Sequence, residues 1–136
     1  MVVQRETFQN GLPGPAPQLC PELGIVEQRV KTGLLGPLAA QDANQPRFSR
    51  MRPPPRERRV RVTQSTATPD KSGQQFVPFA IDVRWGSDWS ENDITGCAYP
   101  STGKLFVKIG NDYRPAEFLL GKSAEPVAGV CQAAST

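Results

Sequence analysis

The sequence predicts a mainly β protein: a small antiparallel meander or partly open barrel towards the C-terminus, preceded by an extended Pro- and Arg-rich arm with at most one short helix. Three observations predict it. Nine of the 14 prolines precede Thr68, whereas eight of the ten aromatic residues follow Gln75. Short runs after residue 75 alternate apolar and polar side chains, the period of a half-buried strand. Charge divides at the same place: residues 1–72 hold 11 Lys/Arg against 6 Asp/Glu, a balance of +5, and residues 73–136 hold 5 against 7, a balance of −2.

The arm is assigned to residues 1–57. Within it, Gln9–Gln18 (QNGLPGPAPQ) combines Gly, Pro and Ala in a pattern that offers neither core side chains nor a regular hydrogen-bond ladder, so extended coil is expected. Residues 21–32 (PELGIVEQRVKT) are the helix candidate. Pro21 suits a first helical position, Glu22 the first turn, and Gly33 an end. Leu23, Val26 and Val30 would share a helical face, but Ile25–Val30 also reads as strand-like alternation. Thr32–Gln45 reads as a linker whose Leu34, Leu35 and Leu38 form a hydrophobic anchor for another surface; the alternative is that they tuck onto the chain's own domain.

From Pro46 to Val62 the chain carries seven arginines (Arg47, Arg50, Arg52, Arg56, Arg58, Arg59 and Arg61) against one acid, Glu57. Pro53-Pro54-Pro55 stiffens this stretch as polyproline II and spaces the flanking cations. These seven arginines are the candidate partner-binding residues. A basic arm on a near-neutral body suits an anionic partner or an acidic protein groove.

The β domain is assigned to residues 58–131, with 132–136 as a tail. Residues 58–63 (RRVRVT) place Val60 and Val62 on one face and Arg59 and Arg61 on the other, as an edge strand guarded by charge. Residues 64–75 form a turn-rich connector, and 76–131 the meander. Phe76–Trp85 sends Val77, Phe79, Ile81, Val83 and Trp85 to one side, with Phe76, Pro78, Ala80, Asp82 and Arg84 on the other. Gly86–Asp93 reads as a polar loop, Ile94–Tyr99 as the second meander strand, and Pro100–Gly103 as a tight turn. Lys104–Ile109 is the third strand, with Leu105, Val107 and Ile109 inward; Gly110-Asn111-Asp112 turns the chain; Tyr113–Leu120 is the fourth strand and Val127–Cys131 a fifth. A unit this small is marginally stable alone, so docking, oligomerisation or the arm has to support it.

The composition excludes several chemistries. Histidine is absent, which removes Ser-His and Cys-His nucleophile pairs and His-based zinc sites. The three cysteines, Cys20, Cys97 and Cys131, lack C-x-x-C spacing, so no metal site is expected. Cys97 and Cys131 lie in the β domain, where they form either a buried thiol pair or a disulfide. Their small number favours a reducing compartment. Pro100-Ser-Thr-Gly-Lys104 lacks the spacing and following Ser or Thr of a phosphate-binding loop. Asp88, Glu91 and Asp93 share a loop but fail the calcium-loop register, because Asp93 stands where glycine must turn. No cofactor is implied. Met1–Phe8 lacks the apolar core of a secretory signal, and no run reaches the roughly 18 apolar residues of a membrane span. An intracellular location, or one inside a particle, is therefore expected.

Trp85–Lys122, with Ile94-Thr-Gly-Cys97, Gly103-Lys-Leu-Phe-Val107 and Gly121-Lys122, resembles a single DM-nine repeat. The resemblance implies a compact β repeat that binds mannose-type sugars, with Lys122 near the ligand. The chain departs from that family in having one repeat instead of a tandem pair. It also carries Tyr113-Arg-Pro-Ala-Glu117 where a Gly-rich approach is usual.

These readings give a non-catalytic structural or accessory subunit, which docks its β domain on a larger protein assembly and lays the basic arm over a neighbouring surface. A carbohydrate-binding module, using Trp85, Trp89 and Tyr99 as stacking platforms, is the alternative. Non-specific nucleic-acid adhesion through the arm ranks below both; sequence-specific recognition is not expected, because only Phe48 lies among the arginines for base stacking.

Overall fold

An open antiparallel sheet of six strands carries a helix on one face and the C-terminal segment on the other. The structure is a computed structural model and describes residues 19–44 and 54–134. Helix α1 spans Leu19–Val30, a π-helical turn Lys31–Leu35 and helix α2 Gly36–Asn44. The strands are β1 (Glu57–Val62), β2 (Thr68–Pro69), β3 (Gln75–Arg84), β4 (Trp89–Tyr99), β5 (Lys104–Ile109) and β6 (Asp112–Pro115). Their order is β1-β3-β4-β5-β6, with the short β2 also paired to β3. The mainly β, antiparallel, open architecture is the one predicted.

The helix closes the main core. Val26, Val30, Leu34 and Leu38 are all buried against Val77, Phe79 and Ile81 of β3, Ala98 of β4 and Val107 of β5. These helical residues recur every four positions. On an ideal helix each four-residue step overshoots one turn by roughly 40°, so three steps would swing Leu38 about 120° off the stripe. The π turn corrects this. Gly36 donates its N–H to the Lys31 carbonyl, and the one extra residue sets the phase back by roughly 100°. Thr32 supports the irregularity by donating its hydroxyl to the Gln28 and Arg29 carbonyls at 3.1 and 3.3 Å. Gly33 lets the turn approach β5: a Cβ there would stand 3.0 Å from Leu105 Cδ1.

This corrects the expectation that a helix over 21–32 stops at Gly33 and gives way to a linker. Glycines at 33 and 36 lower helix propensity, but apolar burial overrides propensity when the stripe meets a sheet. Each buried aliphatic side chain contributes roughly 1.5–3 kcal/mol. Leu34 and Leu38 therefore serve the chain's own core, with Leu35 partly buried beside them, instead of anchoring another surface.

The strand alternation works as read. Val60 pairs with Ile81 and Val62 with Phe79, and both valines pack on the core. Gly96 of β4 faces Phe79 and Val107 in neighbouring strands. A Cβ at Gly96 would come within 2.0 Å of the Phe106 carbonyl oxygen.

The opposite face holds a second, aromatic cluster of Phe76, Cys97, Tyr99 and Phe106. Tyr99 stands 6.0 Å from Phe76 and edge-on to Phe106 at 5.8 Å. Val130 and Cys131 cover it, and Cys97 is disulfide-bonded to Cys131. The disulfide is thus the member of the two expected alternatives that the structure adopts. The tail is tied on by the Val127 N–H to the Tyr113 carbonyl at 2.8 Å and the Ala134 N–H to the Pro69 carbonyl at 3.0 Å.

The expected connector 64–75 contains the short β2, and three other strand limits differ from expectation by more than one residue. The fourth meander strand, read over Tyr113–Leu120, is extended only to Pro115 and continues as a 3-10 turn over Ala116–Leu120. Pro115 removes a ladder donor and Leu119 and Leu120 turn back onto the core. The fifth strand, Val127–Cys131, is an irregular segment, shaped by Gly129 at φ +82° and Cys131 at φ +62°. β4 begins at Trp89, so five of the eight residues of the expected polar loop are strand: an irregularity in pairing between Ile81 and Val83 lets β4 hold three residues against Asp82.

Candidate functional site

The Arg- and Trp-bearing end of the sheet, on the face away from the helix, is the densest group of functional side chains that the sequence singled out. β1 places Arg59 opposite Asp82 and Arg61 opposite Ala80. Alternation sends both guanidiniums to the side where Asp82 projects. Asp82 is fully buried and accepts four hydrogen bonds. Arg59 Nε donates at 2.8 Å and Arg61 Nε at 3.0 Å to Oδ2; Arg61 Nη2 at 3.0 Å and the Asn92 N–H at 2.9 Å donate to Oδ1. Four donors fill the acceptor capacity of a carboxylate.

The β4 irregularity supplies the fourth donor. Asn92 adopts φ +62°, a left-handed conformation that asparagine tolerates, and this turns its N–H to Asp82. Its side-chain oxygen accepts from Arg61 Nη2 at 2.9 Å. The Arg61 hydrogen bonds, joined by those from Arg59 and Asn92, hold the Asp82 carboxyl far below the ordinary carboxylate range despite its burial. Arg61 is correspondingly pushed up by its bonds to Asp82.

Trp89 lies over this charged base. The Arg59 guanidinium stands 4.2 Å and that of Arg84 5.3 Å from the indole ring centre, and Arg84 is ion-paired to Glu57. Arg59 also reaches towards Glu91 at 3.8 Å. The result is a half-exposed stack of guanidinium and indole groups at the edge strand, fixed from below by Asp82.

A second polar group ties the tail down. Tyr99 donates to Asp70 Oδ2 at 2.6 Å and accepts from the Cys131 N–H at 3.1 Å. The Ser72 N–H and hydroxyl, at 2.8 and 2.7 Å, and the Gln74 N–H at 3.1 Å donate to Asp70 Oδ1. The Tyr99 bond, followed by those of Ser72, lowers the Asp70 carboxyl to about 2. Burial first, then the Asp70 bond, raises the Tyr99 hydroxyl to about 12.

The predicted site residues therefore separate. Of the seven arginines, Arg47, Arg50 and Arg52 lie outside the described residues. Arg58 is paired to Asp42 of α2 at 3.0 Å, Arg59 and Arg61 clamp Asp82, and Arg56 is exposed beside them. Trp89 and Tyr99 occupy opposite ends of β4, roughly 30 Å apart at strand rise. Tyr99 is only 2% exposed. Trp85, Trp89 and Tyr99 thus do not make one stacking platform. Asp82, Asn92 and Arg84 were missed as site residues; an acid at an otherwise apolar strand position, opposite a pair of arginines, was the available signal.

Comparison of the chain with models of protein families, curated proteins and solved structures gives no match. No helix among the described residues is long and apolar enough to cross a membrane.

Proposed function

We propose that the protein is a non-catalytic accessory subunit that docks on a larger protein assembly through the edge-strand end of its sheet. The observation that carries this reading is the Arg59–Trp89–Arg84 stack, half-exposed and held in place by Asp82 and Glu57. Trp and Arg are the residues most enriched among energetic anchors of protein interfaces, and a pre-ordered stack loses little side-chain entropy on association. Its charges are largely balanced within the fold, which suits a mixed polar and apolar protein surface better than a phosphate backbone. Arg56, exposed just before β1, adds a cation to the same surface. The Cys97–Cys131 bridge supports assembly in an oxidising setting, in contrast to the reducing compartment that the cysteine count suggested.

The experiment is purification of the native protein from its source, with mass measured by light scattering. A Trp89→Ala chain that folds but elutes alone, where the parent elutes in a larger particle, supports the proposal. A parent that elutes only as a monomer overturns it.

A further inference from the structure

Where α1 and its π turn pass the β4–β5 turn and the 3-10 turn after β6, an open cavity of about 600 Å³ lies between them. Its volume falls within the range of small-molecule sites, roughly 300–1,000 Å³. The cavity lies on elements other than those of the Arg–Trp stack, so a ligand there is independent of docking at the edge strand.

The lining divides into an apolar floor and a cationic rim. Leu105 and Leu120 supply floor, and Val127 stands at the margin with 37% of its surface exposed, one of two large apolar side chains so exposed among the described residues. Arg29 and Lys104 supply two cations against the single acid Glu117. Among the described residues neither cation is ion-paired. Arg29 is nevertheless fixed: its Nε donates to the Gly103 carbonyl at 2.9 Å. That bond uses one edge of the guanidinium and leaves the terminal nitrogens for a further acceptor. A planar fork held at one edge is the geometry that receives a carboxylate.

We propose that this cavity binds an amphipathic carboxylate, with its apolar body on Leu105, Leu120 and Val127 and its carboxylate on Arg29 and Lys104. The ligand class comes from the pairing of an apolar floor with a net positive rim. An uncharged apolar molecule gains nothing from the two exposed cations, and a cation meets two like charges.

The test is calorimetric titration of the full chain with dodecanoate, and with dodecanol as the uncharged control, with amide shifts mapped by NMR. The expected result is saturable one-to-one binding of dodecanoate, with shifts confined to residues around 29, 103–106, 116–120 and 127. Dodecanol should bind about tenfold more weakly. Arg29→Gln and, independently, the exposed Lys104→Gln should each weaken dodecanoate by about tenfold while leaving the far-ultraviolet spectrum unchanged. Lys104→Gln keeps the test decisive if Arg29→Gln disturbs the Gly103 turn. Absence of saturable dodecanoate binding overturns the proposal. So does equal binding of the acid and the alcohol, or retention of full affinity in the Lys104→Gln chain.

Discussion

Arg61 grips Asp82 across the β1–β3 pair with two parallel N–H donors, Nε to Oδ2 and Nη2 to Oδ1, each at 3.0 Å. The carboxylate is buried and the guanidinium half-exposed, so the acid depends on the pair more than the base does. Removing one member of a buried pair strands the other, whereas replacing both with apolar groups of similar volume is often neutral. Asp82→Ala should therefore lower the unfolding free energy by on the order of 2 kcal/mol or more. The triple change Arg59→Met, Arg61→Met, Asp82→Leu should recover much of the loss. Urea unfolding checks both.

The pH dependence originates in Asp70 and Asp82. Both have folded-state values below the ordinary 3.8, with Asp70 at about 2. The unfolded chain then binds more protons than the native one in that window, so their contribution is complete above 3.8 and is lost as pH falls towards 2 and below. The urea midpoint should stay level from neutral pH down to about 4 and then drop. Tyr99→Phe removes the largest cause of the Asp70 shift, and the drop should become shallower in that variant.

Gly96→Ala should be severe. The added methyl meets the Phe106 carbonyl, which is ladder backbone and not the end of a flexible side chain. Overpacking of this kind costs about 1–3 kcal/mol, occasionally more. A Tm unchanged in Gly96→Ala would mean that β4 and β5 are not paired in this register.

Leu34 tests the helix. Leu34→Ala should destabilise the protein by about 2–5 kcal/mol, the usual cost for a fully buried leucine. A value near zero in urea unfolding would show that the π turn does not seat on the sheet. The same change at the exposed Ile25 should be almost silent.

The Cys97–Cys131 bridge closes a loop of 34 residues, for which chain entropy gives about 4 kcal/mol of stabilisation at 25 °C. The Cys97→Ala, Cys131→Ala chain should show a lower Tm and should lose order first in residues 127–134. Hydrogen exchange of those amides against the rest of the sheet measures it.

Much of the fold was legible because strand alternation is a strict period of two: Val60 and Val62 against Arg59 and Arg61, or Leu105 and Val107 against Lys104 and Lys108, leave one assignment. The helix was only half legible. Its stripe at 26, 30, 34 and 38 recurs every four residues, which drifts off a 3.6-residue face and is equally compatible with strand alternation; it becomes a helical face only once a π turn is allowed. The arginine cluster was visible as composition, but its partners were not. Asp82 lies 21 residues from Arg61, and nothing short of the strand register brings them together. Trp89 read as loop because β4 enters through an irregular, polar stretch. Tyr99 read as a surface ring because its cover, Val130 and Cys131, arrives from the far end of the chain.

The helix that completes the core has an effect on biosynthesis. Val26 leaves the ribosome 81 residues ahead of Val107, its eventual neighbour in the core. At typical elongation rates of about 5–20 residues per second, about 4–16 s pass before the last of the β partners of the nascent oily stripe has been made. Newly made chains therefore pass through an interval in which a holding chaperone competes with aggregation, and the yield of native protein should respond to translation speed.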